Sequence, residues 1–215
     1  MPLLHDVGYV GTLSRHSLRF AIGMLQHEQA SSPNQLQRPR PRTPVELLLL
    51  PQLPFLKAER TCEWLRNAID EARQKFHFAL WADVFMPEHV HLIVCPRDAE
   101  YDIARIRKAI KAPVGSKAMA YIKEHAPEWL PRLTRVRGQK TEHLFWQSGS
   151  GFDHNITEGD TLLVEIDYIH MNPVRRNLCQ RATDWKWSSA GWYAGDRTGP
   201  LQIDPIPPEC LFDCK

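Results

Sequence analysis

The chain has 215 residues and a mass of 24.9 kDa, with 43% hydrophobic and 24% charged residues. That size and composition exclude a wholly disordered chain and a coiled-coil rod, and they predict one soluble domain with or without a tail. The formal net charge is only +2, and no apolar run approaches the roughly 20 residues that cross a bilayer. Five widely spaced cysteines favour free thiols, so we expect a cytoplasmic protein without a membrane partner.

The two ends of the chain differ in composition from its middle. Residues 1–45 include a stretch rich in Gln, Ser, Asn, Pro and Arg without hydrophobic periodicity, so we predict a disordered, atypical N-terminal segment. Residues 196–215 carry several prolines and are predicted to form an extended C-terminal tail. The folded domain is therefore predicted to occupy residues 46–195.

Hydrophobic periodicity predicts a helix followed by a hairpin at the start of this domain. Residues 58–75 have apolar side chains at helical spacing. Residues 76–86 then alternate with the period of two that is typical of a strand, and a turn at 87–88 leads to a second strand at 89–94. Two strands joined by so short a turn form a β-hairpin.

The second half of the domain is predicted to contain two more helices and a short strand. The predicted elements are a helix at 102–112 that Pro113 and Gly115 interrupt, its helical continuation at 117–125, a strand at 141–147, and a helix from Thr157 to Met171 or Asn172 that Pro173 ends. Two helix–strand units on an antiparallel sheet predict an α+β fold. The ferredoxin-like arrangement, with helices packed on one sheet, is the obvious candidate.

Two histidines alternate in the second hairpin strand. His89 and His91 are two residues apart, so they share one face of the strand, while Val90, Leu92 and Val94 share the other. Neutral imidazoles so placed can bind one divalent ion with a third ligand from elsewhere. The alternative is a pair of solvent-facing histidines on a half-exposed strand.

The last predicted helix carries a tyrosine four residues before an asparagine. Tyr168 and Asn172 lie on one helix face, with Glu165 one turn earlier. A tyrosine hydroxyl beside a bound metal can attack a phosphodiester. Taken alone, Tyr168 equally fits a half-buried aromatic residue, and Asn172 a residue at a helix end.

Two further segments carry features typical of nucleic-acid binding. Residues 105–140 hold ten Lys or Arg but two acids, a local excess that attracts polyanions unless it is simply a solvated surface. Residues 182–189 interleave Trp185 and Trp187 with Lys186, and these aromatic rings either stack on unpaired bases or pack on the sheet.

Four segments in this order resemble the REP-associated tyrosine transposases, a branch of the small single-strand transposases with a His-hydrophobic-His (HUH) motif. The segments are 85–94, 145–147, 167–176 and 184–189, and the resemblance covers about residues 52–193. It implies the HUH endonuclease fold, a ferredoxin-like α+β domain.

The resemblance also implies a mechanism. His89, His91 and Asn172 would hold Mg²⁺ or Mn²⁺, and Tyr168 would be the catalytic nucleophile. The tyrosine would attack single-stranded or hairpin DNA, form a 5′-phosphotyrosine bond and rejoin strands in DNA transposition or recombination. The residues expected to contact this DNA are Arg105, Arg107, Lys108, Lys111, Lys117, Arg135, Arg137, Lys140, Trp146, Arg175, Arg176 and Lys186. Phe145 and Trp146 fit base stacking and protein packing equally, and both a monomer and a homodimer fit the family.

The chain departs from the family at the first strand. The corresponding residues, 44–52, place four leucines between two prolines and predict a poor central strand. This departure puts catalytic activity in question. Two other functions therefore stay open: a DNA-hairpin-binding protein that has lost catalysis, and a metal-dependent phosphohydrolase.

Overall fold

The computed structural model describes residues 43–48, 53–147, 156 and 159–211, with the backbone alone for 43–48 and 159–160. The strands within these residues are β1 (Thr43–Leu48), β2 (Phe78–Phe85), β3 (His89–Pro96), β4 (Thr134–Arg137) and β5 (Lys140–His143). The α-helices are α1 (Glu59–Phe76), α2 (Ile103–His125), α3 (Gly159–His170) and the short α4 (Asn172–Arg175). Short 3-10 or π turns cover Phe55–Lys57, Pro127–Leu133, Ala182–Asp184, Trp192–Asp196 and Pro208–Cys210.

Three of the strands form an antiparallel sheet in the order β1-β3-β2, so β3 is central. Helix α1 connects β1 to β2 in the chain, the hairpin turn connects β2 to β3, and α2 follows β3. This order of elements and strands confirms the α+β, ferredoxin-like prediction. Strands β4 and β5 pair with each other in a separate two-stranded sheet.

The first strand lies at an edge of the described sheet, beside β3. Thr43 pairs with Val94, and Leu48 pairs with His89. Within the described part of the chain β1 pairs with β3 alone, a position that tolerates Pro44, which has no N–H to donate. The domain begins at least three residues before the predicted boundary at residue 46. Residues 1–42 and 49–52, and with them most of the predicted disordered segment, lie outside the described residues.

One predicted helix end is wrong because packing outweighs the local effect of proline. Helix α2 runs without a break through Pro113, and Ile110, Val114 and Ala118 continue its buried stripe across that position. The predicted end of α3 at Met171 or Asn172 agrees with its observed end at His170 to within two residues, and Pro173 lies in the first turn of α4, where its missing N–H costs nothing. None of the helices in the described part of the chain is long and apolar enough to span a membrane.

The end of the chain belongs to the core. Leu201, Ile203 and Ile206 are buried. The Asp204 N–H donates to the Leu80 carbonyl at 2.8 Å, and the Asp204 carboxylate accepts the Leu80 N–H at 2.9 Å. The prolines keep this segment extended as predicted, but its alternating apolar residues pack it along β2. The predicted tail at 196–215 is therefore wrong for residues 201–211.

Candidate active site

The structure brings the two alternating histidines of β3 together. Their Nε2 atoms are 3.0 Å apart, and the rings meet edge to face with centroids 4.7 Å apart. Val90 and Leu92, on the opposite face, are buried. Two ligand atoms at about 2.1 Å from an ion and at right angles to each other are about 3 Å apart. The spacing of His89 and His91 therefore fits two neighbouring positions around an octahedral ion.

Both imidazoles are held in the neutral form that binds metals. Burial lowers the pKa of His91 to about 3, and the neighbouring His89 acts in the same direction. Burial also lowers the pKa of His89, with Arg176 adding to the effect and Glu88 opposing it. Neutral imidazoles offer a lone pair without first losing a proton.

Asn172 supplies the third polar group of this cluster. Its amide nitrogen lies 3.4 Å from His91 Nε2, and turning the amide by half a rotation presents its oxygen there instead. Among the described residues, no cluster of three His, Cys, Asp or Glu side chains is placed to hold a metal ion. Two neutral imidazole nitrogens and an amide oxygen are groups that can bind a divalent cation.

Tyr168 lies on the helix that ends beside this cluster. Tyr168 is 48% exposed, so a polymeric substrate can approach it. The Arg175 guanidinium lies 4.6 Å from the centroid of the Tyr168 ring and donates a 2.8 Å hydrogen bond to the Tyr168 carbonyl. Arg175 thus restrains both the ring and the backbone of this residue.

The sequence did not predict the ion pair between Arg176 and Glu88. Two guanidinium nitrogens of Arg176 contact the two Glu88 oxygens at 2.6 and 3.3 Å. Glu88 immediately precedes β3, and Arg176 immediately follows α4, so the pair ties the strand that carries the histidines to the turn after Asn172. The signal in the sequence was one acidic and one basic residue within two of the four segments, at 85–94 and 167–176.

Several of the predicted DNA-contacting residues are exposed. Arg105 and Lys108 lie on the N-terminal half of α2, and Lys117 lies farther along the same helix. Arg137 and Lys140 pair across the β4–β5 hairpin. These five cations are available to phosphate groups.

The remaining predicted DNA contacts are engaged within the protein. Lys111 donates to the Gln147 carbonyl at 2.9 Å, Arg135 pairs with Glu142 at 3.0 Å, and Arg107 is buried. Lys186 forms an ion pair with Glu59. These contacts do not exclude DNA binding, but each would have to be exchanged or shared for a phosphate contact.

The aromatic side chains of the other two motifs pack inside the protein. Trp146 is buried, donates its indole N–H to the Lys111 carbonyl at 2.8 Å, and lies so close to Gly115 that a Cβ there would approach it to 3.2 Å. Trp187 stacks on Phe85 with centroids 5.9 Å apart, and Trp185 donates to the Phe85 carbonyl. The packing interpretation of these aromatic residues agrees with this geometry.

Comparison with known proteins gives sequence relatives and a structural neighbour. No family model matches the chain. A protein of Haemophilus influenzae is 27% identical over 143 residues, which cover 61% of this chain and 73% of that protein. A protein of Escherichia coli K12 is 25% identical over 131 residues, which cover 59% of this chain and 63% of that protein. Both are named as REP-associated tyrosine transposases.

A solved structure of a REP-associated tyrosine transposase bound to a REP hairpin has the same fold. The TM-score is 0.57 at 18% sequence identity, and the match covers 86% of this chain and 94% of that one. The resemblance to the REP-associated tyrosine transposases is therefore confirmed in sequence and in fold.

Proposed function

We propose that this chain is a metal-dependent tyrosine transposase that cleaves and rejoins single-stranded or hairpin DNA. The observation that carries the proposal is the convergence of His89, His91 and Asn172 next to the helix that presents the exposed Tyr168. The two relatives named as transposases, and the structural neighbour bound to a REP hairpin, support DNA as the substrate.

The chemistry of the proposed cleavage is a transesterification. The Tyr168 oxygen attacks the phosphorus, a P–O bond forms, and the bond from phosphorus to the 3′ oxygen breaks. The tyrosine loses its proton to solvent, and the departing 3′ oxygen gains one. A 3′-hydroxyl group can later attack the phosphotyrosine and release the tyrosine, so no nucleotide cofactor is consumed.

The residues around Tyr168 have separate tasks in this proposal. His89, His91 and Asn172 would hold Mg²⁺ or Mn²⁺, which supplies a Lewis acid for a phosphate oxygen. Arg175 keeps the Tyr168 ring in place through its contacts with the ring and the carbonyl. Because a phosphodiester is negatively charged, this guanidinium also favours its approach.

The exposed cations are the proposed backbone contacts for the DNA. Lys108 and Lys117 on α2 and Arg137 and Lys140 on the hairpin are exposed to solvent, so phosphate groups can reach them. Since each phosphate contact releases counterions, binding should weaken steeply as salt rises. A flat salt response would contradict a DNA surface built from these residues.

The test is the substitution Tyr168→Phe, with Tyr121→Phe as its matched control. Tyr121→Phe removes the same hydroxyl oxygen from a tyrosine on another helix, α2, whose ring stacks on His125. We expect Tyr168→Phe to abolish cleavage of labelled hairpin DNA while its Kd changes less than about threefold, because only the attacking oxygen is lost. Tyr121→Phe should cleave at the wild-type rate.

Other results would support the two alternative functions. Tight hairpin binding by the wild-type chain without cleavage would indicate a binding protein that has lost catalysis. Turnover of a small phosphate ester such as p-nitrophenyl phosphate, unchanged by Tyr168→Phe, would indicate a metal-dependent phosphohydrolase. Cleavage by Tyr168→Phe at the wild-type rate would contradict the role proposed for Tyr168.

A further inference from the structure

A buried hydrogen bond connects the helix of Tyr168 to the segment that carries the two tryptophans. His170 Nε2 lies 2.8 Å from Ser189 Oγ. The two residues are 1% and 0% exposed, so water does not compete for this contact. Neither residue has a task in the cleavage chemistry described above.

Ser189 is itself fixed to β2 by three contacts with one residue. Its N–H donates to the Asp83 carbonyl at 3.0 Å, and its Oγ accepts the Asp83 N–H at 2.9 Å. Its hydroxyl also donates to the Asp83 carbonyl at 3.2 Å. The next residue, Val84, is the partner of His91 across the sheet. The His170 contact therefore anchors α3 within one strand position of a proposed metal ligand.

The contacts of Ser189 favour one tautomer of His170. The hydroxyl proton is used on the Asp83 carbonyl, so the oxygen accepts from both the Asp83 N–H and the His170 Nε2–H. His170 Nδ1 is buried and has no hydrogen-bond partner. Leaving a nitrogen lone pair unpaired there costs less than leaving an N–H unpaired, so the proton belongs on Nε2. Burial lowers the pKa of His170 to about 3, so the ring stays neutral.

We infer that His170 and Ser189 are a positioning pair that fixes the rotation of α3 about its axis, and with it the placement of Tyr168 and Asn172; the inference rests on the proposed function. Tyr168 lies two residues before His170 on α3 and so points to nearly the opposite side, and Asn172 begins α4 one turn residue after His170. A bond to His170 on the buried side therefore controls where Tyr168 points and where α4 begins. A rotation of about 20° would displace side-chain ends, roughly 5–6 Å from the axis, by about 2 Å. A misplacement of about 1 Å can slow a reaction about 100-fold.

The experiment compares Ser189→Ala with Ser188→Ala in the full chain. Ser188 is an equally buried neighbour whose hydroxyl accepts the Ala190 N–H at 3.1 Å. We expect Ser189→Ala to lower the single-turnover rate constant for hairpin cleavage about 100-fold with little change in Kd, and Ser188→Ala to change either value less than about threefold. Equal cleavage rates for the two variants would overturn the inference.

Substitution of the histidine adds a rescue. His170→Gln keeps an N–H donor that can reach Ser189, whereas His170→Leu removes it. We expect the glutamine variant to cleave at least about tenfold faster than the leucine variant. Equal cleavage rates for the two variants would overturn the positioning role. So would a loss of cleavage in each variant that equals its loss of folded protein, measured by urea titration, because the contact would then be purely structural.

The wild-type chain provides a measurement that does not depend on any variant folding. In an NMR spectrum of the ¹⁵N-labelled imidazoles, the His170 Nε2 should carry a slowly exchanging proton. A proton on Nδ1 would overturn the pair as described. If the wild-type chain shows no Tyr168-dependent cleavage, the proposed function fails; if it cleaves and Ser189→Ala cleaves equally well, only the positioning inference fails.

Discussion

A buried acid gives the fold a pH dependence that can be calculated from the structure. Asp83 on β2 is 0% exposed, and neither carboxyl oxygen has a hydrogen-bond partner. Burial raises its pKa to about 8, and the nearby Asp70 adds to the effect. The folded chain therefore keeps Asp83 protonated at pH values where the unfolded chain has lost that proton.

The sign and size of the effect follow from proton linkage. Between about pH 4 and about pH 8 the folded state holds one more proton at Asp83, so stability decreases as pH rises, by about 1.4 kcal/mol per unit. His91 and His170, with pKa values of about 3, act in the opposite direction, because below about pH 6.5 the unfolded chain binds protons that these buried rings do not. Between pH 6.5 and 8 Asp83 contributes a loss of roughly 1.5 kcal/mol, and the remaining protonation of His89, His91 and His170 in the unfolded chain offsets part of it, so the net decline is smaller.

The assay is urea unfolding across pH 5 to 8.5 for the wild-type chain, Asp83→Asn and Asp196→Asn. The asparagine at position 83 cannot ionise, so the decline above pH 6.5 should disappear. The exposed Asp196 is the control, and its variant should retain the wild-type decline. A wild-type stability that is flat or rising from pH 6.5 to 8, or the same decline in Asp83→Asn, would refute the reasoning.

Two further predictions concern the ion pair and the C-terminal segment. In a double-mutant cycle, Glu88→Gln and Arg176→Ala should show a coupling of about 1 kcal/mol in unfolding free energy. Arg176→Ala should leave the salt dependence of hairpin binding unchanged. Lys117→Ala should reduce the slope of log K against log salt concentration by about 0.7–0.9 in magnitude. An equal reduction for Arg176→Ala would mean that Arg176 contacts phosphate. Ile203→Ala should cost about 2–4 kcal/mol in urea unfolding, whereas a loss no larger than that of the exposed Gln202→Ala would contradict burial of this segment.

The sequence predicted the parts of the fold that depend on local periodicity. The alternation around His89 and His91 correctly predicted a strand with both histidines on one face. The predicted helix carries Tyr168, although Asn172 begins the next helix, and the turn between the hairpin strands is where it was expected. Each of these features is set by residues fewer than about eight positions apart, where side-chain direction follows from backbone geometry.

The features that sequence could not predict depend on contacts between distant residues. The break predicted in α2 at Pro113 is absent because the penalty of a proline is local, whereas the buried stripe that outweighs it can be recognised only in three dimensions. The segment around Ile203 resembled a tail because its prolines are visible in the sequence, but the β2 edge that it covers is not. The contact between His170 and Ser189 joins two motifs whose residues gave no sign of a partner.

The most direct test of the central claim is a search for the covalent bond between Tyr168 and DNA. Purified chain is incubated with labelled single-stranded hairpin DNA, with Mg²⁺, with Mn²⁺ or with a chelator, and then resolved on a denaturing gel. The proposed function predicts a metal-dependent, heat-stable adduct between protein and DNA. After tryptic digestion the nucleotide should be found on Tyr168. The adduct should be absent in Tyr168→Phe and in His91→Ala. Cleavage without such an adduct, or an adduct mapped to another residue, would contradict it.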